Sequence, residues 1–139
     1  MNLAKEKLED LYSGVYALFH QGQCIYVGKS KNVPYRLRQH IADHDRQSKD
    51  FDDFEIYYTQ AREYLETYLI KKIKPFYNTL KNPSHFDGKP HIWKDPSHIR
   101  ILRLVKQFVG EWEDFCKNGQ CNSTMYSVYS MTGKRIYAE

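Results

Sequence analysis

The residues best equipped for chemistry lie in "GVYALFHQGQCIYVG", residues 14–28, where Tyr16 and Tyr26 each stand two positions from a glycine, Gly14 and Gly28. Two phenols on one strand pair can orient a water or hold a phosphate oxygen, and Lys29, directly after Gly28, brings a cation able to favour a phenolate. The other reading of the pair is two half-buried aromatics that pack and do nothing more. Arg36 and His40 are four residues apart, so on a helix they share a face. A guanidinium giving two parallel hydrogen bonds and an imidazole giving one can then meet the same phosphate. Arg36 taken alone reads equally as a surface arginine.

The net charge of +4 is unevenly distributed, with Lys29, Lys31, Arg36 and Arg38 early and Lys71, Lys72 and Lys74 later. Such clusters suit a polyanion, nucleic acid included, or an ordinary solvated face. Cys116 and Cys121 with His85, His91 and His98 invite a zinc reading, but the Cys-x4-Cys spacing is marginal and the histidines keep no matching rhythm. They are expected to be surface histidines and inert thiols.

The elements that must position these groups follow from periodicity. "GVYALF" and "CIYVG" alternate as strands, residues 32–47 read as a helix capped by Asn32 with Leu37 and Ile41 one turn apart, and "FEIYYT", residues 54–59, is a third strand. Thr59 then caps a second helix with the stripe Ala61, Leu65, Leu69 and Ile73, stopped by Pro75. A three-residue loop, His20 to Gly22, pairs Tyr16 directly with Tyr26. It sorts Val15, Ala17, Phe19, Ile25 and Val27 onto one face and Gly14, Tyr16, Leu18, Cys24, Tyr26 and Gly28 onto the other. A two-residue turn would instead set Tyr16 opposite Val27 and send Tyr26 to the other face. Glycines beside the tyrosines leave room for a ligand near the backbone.

Residues 80–98, with Pro83, Gly88, Pro90 and Pro96, read as a connector that divides the chain into residues 1–80 and an extension over 81–139. In the extension, Asp95-Pro96 starts a helix with Ile99, Leu102, Val105, Val109 and Trp112 at helical spacing, followed by a closing hairpin around Thr132-Gly133. The row Arg100, Arg103 and Lys106 can lie along a nucleic-acid backbone. The fold class expected is α+β: a small antiparallel three-stranded sheet in the order β-β-α-β-α, flanked by helices, with the extension added.

At 139 residues, 41% apolar and 15% aromatic, the chain has enough apolar mass for a packed core, which excludes a disordered class. No apolar run approaches the roughly 20 residues that cross a bilayer. Three cysteines without a secretory leader point to the cytoplasm and away from a disulfide framework.

The pattern resembles the GIY-YIG nuclease family, whose two strand motifs stand here as Gly14-Val15-Tyr16 and Tyr26-Val27-Gly28. "YVGKSKNVPYRLRQH" is similar to the second strand and the family helix, with Arg36 at the catalytic arginine position. "LETYLIKKIKPFYN", residues 65–78, resembles the segment bearing the metal-binding glutamate, here Glu66, and a closing asparagine, Asn78. The likeness is especially to the amino-terminal nuclease domain of the excinuclease of nucleotide excision repair, although residues 81–139 match no module of that enzyme. Valine replaces the central isoleucine in both name motifs, which leaves strand chemistry unchanged.

The resemblance implies a metal-dependent DNA endonuclease acting on duplex or branched DNA, with Mg²⁺ as cofactor and Mn²⁺ as its substitute. It implies Tyr16 as general base, Tyr26 as its orienting or phosphate-binding partner, and Lys29, Arg36, His40 and Glu66 completing the site. Glu66 is taken over Glu63, one turn earlier, on that likeness alone. Lys29, Lys31, Arg38, Asn78, Arg100 and Arg103 are the expected nucleic-acid contacts, with Asn78 also suited to tying its loop to a strand edge. Two other readings stay open: a nucleic-acid-binding module that has lost the reaction, and an interaction protein targeted by its extension.

Overall fold

The computed structural model describes residues 11–42, 51–79, 101–117 and 127–138. Five strands form one antiparallel sheet: β1 (Gly14–His20), β2 (Gln23–Ser30), β3 (Asp53–Tyr58), β4 (Val128–Ser130) and β5 (Arg135–Ile136). Their spatial order is β2-β1-β3-β4-β5. The helices are α1 (Val33–Ala42), α2 (Arg62–Ile73), α3 (Phe76–Thr79) and α4 (Ile101–Lys117). The class is therefore α+β as expected, with two more strands, because the closing hairpin continues the sheet by pairing Tyr57 with Ser130 and Tyr58 with Tyr129.

The β1–β2 hairpin corrects the expected register. Gln21 and Gly22 both have positive φ, 48° and 81°, so the loop is a tight two-residue turn of the kind that matches strand twist. A two-residue turn alone would have sent the tyrosines to opposite faces. A β-bulge prevents this: Phe19 pairs with Cys24 but Leu18 pairs with Tyr26, which leaves Ile25 as the extra residue. Tyr16 consequently lies opposite Gly28, Tyr26 opposite Leu18, and both phenols share a face. The bulge also exchanges two expected positions, with Cys24 joining Val15, Ala17 and Val27 and Ile25 joining Tyr16 and Leu18.

Each face of the sheet has its own core. On one, Val15, Ala17, Phe19 and Val27 meet α2 and α4 through Leu65, Leu69, Ile73, Ile101 and Val105. On the other, Tyr16, Leu18 and Ile25 meet α1 and α3 through Val33, Leu37 and Phe76. The α2 stripe is buried as read, and each of its fully buried Leu and Ile side chains contributes about 1.5–3 kcal/mol relative to exposure. Helix ends follow local chemistry. Asn32 accepts from the Tyr35 N–H at 3.2 Å and caps α1. Thr59, expected to cap α2, instead accepts from the Ala61 N–H at 3.0 Å in the turn before it, and Ala61 stands at the N-cap with no side-chain cap bond; Lys74 at φ 51° closes α2 just before Pro75.

Two stripes were misjudged in sequence. In α1 the inward residues are Val33, Leu37 and His40, while Ile41 is 57% exposed. In α4, Ile101, Val105, Phe108 and Val109 face the core and Leu102 turns outward, because adjacent apolar residues leave the helical phase ambiguous. Residues 43–47 of the first expected helix, the connector at 80–98 and the Asp95-Pro96 start lie outside the described residues. Cys116, expected as a free thiol, is disulfide-bonded. An odd cysteine count leaves one thiol over, here the buried Cys24, and does not forbid a single bridge. Among the described residues no helix is long and apolar enough to cross a membrane.

Candidate active site

The site begins with a ring cluster between β1, β2 and α1. Tyr16 is 1% exposed and His40 6%. Tyr16 Oη and His40 Nε2 are hydrogen-bonded at 2.9 Å. Tyr26 completes the cluster, its ring centroid 6.0 Å from that of Tyr16 and 5.8 Å from the imidazole, and it keeps partial access to solvent. Gly28 makes this possible: a Cβ there would sit 2.5 Å from both Cζ and Oη of Tyr16 and 2.9 Å from Cε2 of Tyr26. A Cβ on Gly14 would collide with the Tyr57 carbonyl oxygen. The glycines thus admit a tyrosine ring and a neighbouring strand, where the sequence suggested space for a ligand.

Charged groups surround the rings. Arg36, one turn before His40 on α1, donates to the Gln39 side chain at 3.0 Å. Lys29 Nζ, at the end of β2, lies 3.6 Å from Glu66 Oε1 on α2. Burial raises the pKa of Tyr16 above the usual phenol range, its neighbour Tyr26 adds to this, and the Arg36 guanidinium opposes it. Tyr26 is also raised by burial and by the Glu66 charge, against a hydrogen bond from Tyr16 and the charge of Arg36. The cation that acts on the phenols is therefore Arg36, whereas Lys29, expected to favour a Tyr16 phenolate, is engaged by Glu66. Burial pushes the Glu66 carboxyl up as well, with Lys29 pulling it back down.

Glu66 is half-buried, its side chain 19% exposed, and turned toward this cluster, while Glu63 is exposed. Among the described residues no three His, Cys, Asp or Glu side chains converge as a metal cluster. A cation at this edge would accordingly be held by one carboxylate, with water and substrate oxygens completing its shell, an arrangement that suits Mg²⁺. The donor set fits such an ion.

The remaining expected residues are dispersed. Lys31, just before α1, and Arg38, on it, are exposed. Asn78 accepts from the Val27 N–H at 2.8 Å and donates to the Val27 carbonyl at 2.9 Å, so it pairs with the free edge of β2 like a one-residue strand. Arg103 is exposed on α4, which packs on the sheet face opposite the Tyr16 cluster. A row there does not extend directly from the tyrosines as expected. Arg100, His85, His91, His98 and Cys121 lie outside the described residues. Sequence reading missed Gln39, which holds the guanidinium; its position three residues after Arg36 on one helix was the available signal.

Comparison with known proteins places these residues in a lineage. UvrABC system protein C of Streptococcus pneumoniae strain JJA is 37% identical over 115 residues, 75% of this chain and 18% of that protein. The protein of the same name from Fervidobacterium nodosum is 31% identical over 108 residues, 73% of this chain and 19% of its own. The chain thus spans about a fifth of the length of these curated relatives. Among solved structures, the GIY-YIG N-terminal endonuclease domain of UvrC from Thermotoga maritima, bound to its catalytic magnesium, is 30% identical with a TM-score of 0.43. That match covers 57% of this chain and the whole of the other. The model of the GIY-YIG catalytic domain matches residues 12–81, about half of the chain and the whole span from the first tyrosine strand to Asn78, and the chain belongs to the GIY-YIG family.

Proposed function

We propose that the chain is a divalent-metal-dependent DNA endonuclease that hydrolyses a phosphodiester bond and releases the 3′ oxygen as leaving group. The observation that carries this reading is the convergence at one sheet edge of Tyr26, Arg36 and the Lys29–Glu66 pair, with the Tyr16–His40 hydrogen bond behind them. Arg36, fixed by Gln39, presents a guanidinium suited to the equatorial phosphate oxygens, whose charge grows in the transition state. Glu66 would hold Mg²⁺, which when bound supplies a Lewis acid that neutralises the departing oxygen.

Burial changes the roles of the two phenols. Tyr16, 1% exposed, has no surface for an attacking water, so we assign that contact to the half-open Tyr26 and make Tyr16 its partner. Both phenols are raised by burial, which disfavours a standing phenolate. The water proton is therefore passed on as it is taken: Tyr26 accepts it and hands its own toward Tyr16, whose hydroxyl turns from Tyr26 to donate to His40 Nε2. This relay replaces the Lys29-stabilised phenolate. Lys29 instead holds the Glu66 carboxylate in position.

The first experiment incubates the chain with supercoiled plasmid, linear duplex and branched DNA in Mg²⁺, Mn²⁺ or chelator. Strand scission in either metal that the chelator abolishes is expected. Binding without scission on every substrate would instead support a module that has lost the reaction.

A further inference from the structure

The hairpin β4–β5 and the first half of α4 bring together residues far apart in sequence, and they form a cleft of about 360 Å³ lined by Lys106, Ser130, Lys134, Arg135 and Tyr137. All three charged side chains in that lining are cationic. Arg103 stands exposed on the same helix. Among the described residues neither Lys134 nor Arg135 enters an ion pair. The acidic side chain that shares a cavity with Arg135, Glu113, lines the neighbouring hollow and not this cleft. Tyr137 is 61% exposed with the Arg135 guanidinium stacked 5.1 Å from its ring, an arrangement that presents an aromatic face and a charge together.

The site lies far from the tyrosines. The sheet order puts β5 three strands beyond β1, about 14 Å at the usual strand spacing. That is about four base pairs along a duplex carrying two phosphates per 3.4 Å. A substrate seated at Tyr26 and Arg36 would reach this cleft only if it continued past the scissile phosphate.

We propose that this cleft is a second phosphate-backbone site, built by the C-terminal extension and separate from the catalytic edge, that lengthens the nucleic-acid footprint of the chain. The inference rests on the endonuclease reading for the class of its ligand. Each cation that neutralises a phosphate adds about 0.9 to the slope of log affinity against log salt, so Lys106, Lys134 and Arg135 together account for about 2.7. Between about 50 and 200 mM salt that corresponds to a loss of about 40-fold.

The test measures binding of a duplex of about 30 base pairs over a salt series, in a Glu66→Gln background so that no substrate is consumed. Lys134→Gln with Arg135→Gln should lower the slope by about 1.8. In the Glu66 protein, the same pair of substitutions should leave the nicking rate at saturating DNA unaltered. An unchanged slope, or an equal drop from Lys117→Gln at the far end of α4, overturns the inference. If the unsubstituted chain nicks DNA but the slope does not move, only the cleft fails. If it neither binds nor nicks, the endonuclease reading fails first and the cleft loses its ligand with it.

Discussion

The Tyr16–His40 hydrogen bond makes the sharpest demand on the chemistry. Replacing Tyr16 by Phe removes one oxygen from a buried 2.9 Å contact and leaves the ring packed against Gly28. Loss of such a bond costs about 1–3 kcal/mol of stability, against a typical total of about 5–15, so the variant stays folded. A positioned proton acceptor contributes about 10²–10⁴ in rate, or about 2.7–5.4 kcal/mol of barrier. Tyr16→Phe and His40→Ala should each slow single-turnover nicking by that range, with circular dichroism unchanged. As links of one relay they cannot both be lost twice, so the double variant should fall within about threefold of the slower single one. Losses that multiply, for example about 10² and 10² giving about 10⁴, would show two independent contributions and refute the relay.

Other predictions follow from the same geometry. Gly28→Ala drives a methyl into the Tyr16 phenol and should cost about 1–3 kcal/mol by denaturant melt while reducing nicking far more than that loss of fold explains. Asn78→Ala removes both hydrogen bonds to Val27 and should cost about 1–3 kcal/mol, read as a lower Tm, with faster amide exchange along β2. Glu66 is held above its ordinary value of 4.5, so its neutral form is favoured by folding. The stability this brings is complete below 4.5 and is lost as pH rises through the folded value. Glu66→Gln should remove that pH dependence and match or exceed the parent Tm at neutral pH, while Mg²⁺ binding, followed by calorimetry, disappears. In the parent, Mg²⁺ affinity should begin to fall at a pH above the ordinary carboxylate range.

How far the sequence carried can be seen at particular residues. The α2 stripe was legible because Ala61, Leu65, Leu69 and Ile73 repeat at one spacing with a proline to end it. Tyr16 and Tyr26 were correctly placed on one face, but through the wrong register. A bulge at Ile25 depends on what packs above the strand, and no local residue announces it. His40 was legible as Arg36's neighbour and illegible as a buried group, since hydropathy favours Ile41 for the inward position. The pairing of β3 with β4 joins segments about 70 residues apart, a non-local contact that strand propensity does not encode. Separation along the chain likewise hid Lys134 and Arg135 from Lys106, because neither segment alone makes a patch.

The central claim is that Arg36 and Glu66 serve one phosphodiester at the β2 edge. Its most direct test is the conversion of supercoiled plasmid to nicked circle in Mg²⁺ by the parent chain, Arg36→Ala and Glu66→Gln, each with its fold and duplex affinity measured alongside. Nicking by the parent is predicted, with a rate lower by at least about 10²-fold, the size of a lost transition-state donor, in both variants with fold retained. Nicking by folded Arg36→Ala and Glu66→Gln at the parent rate would contradict it.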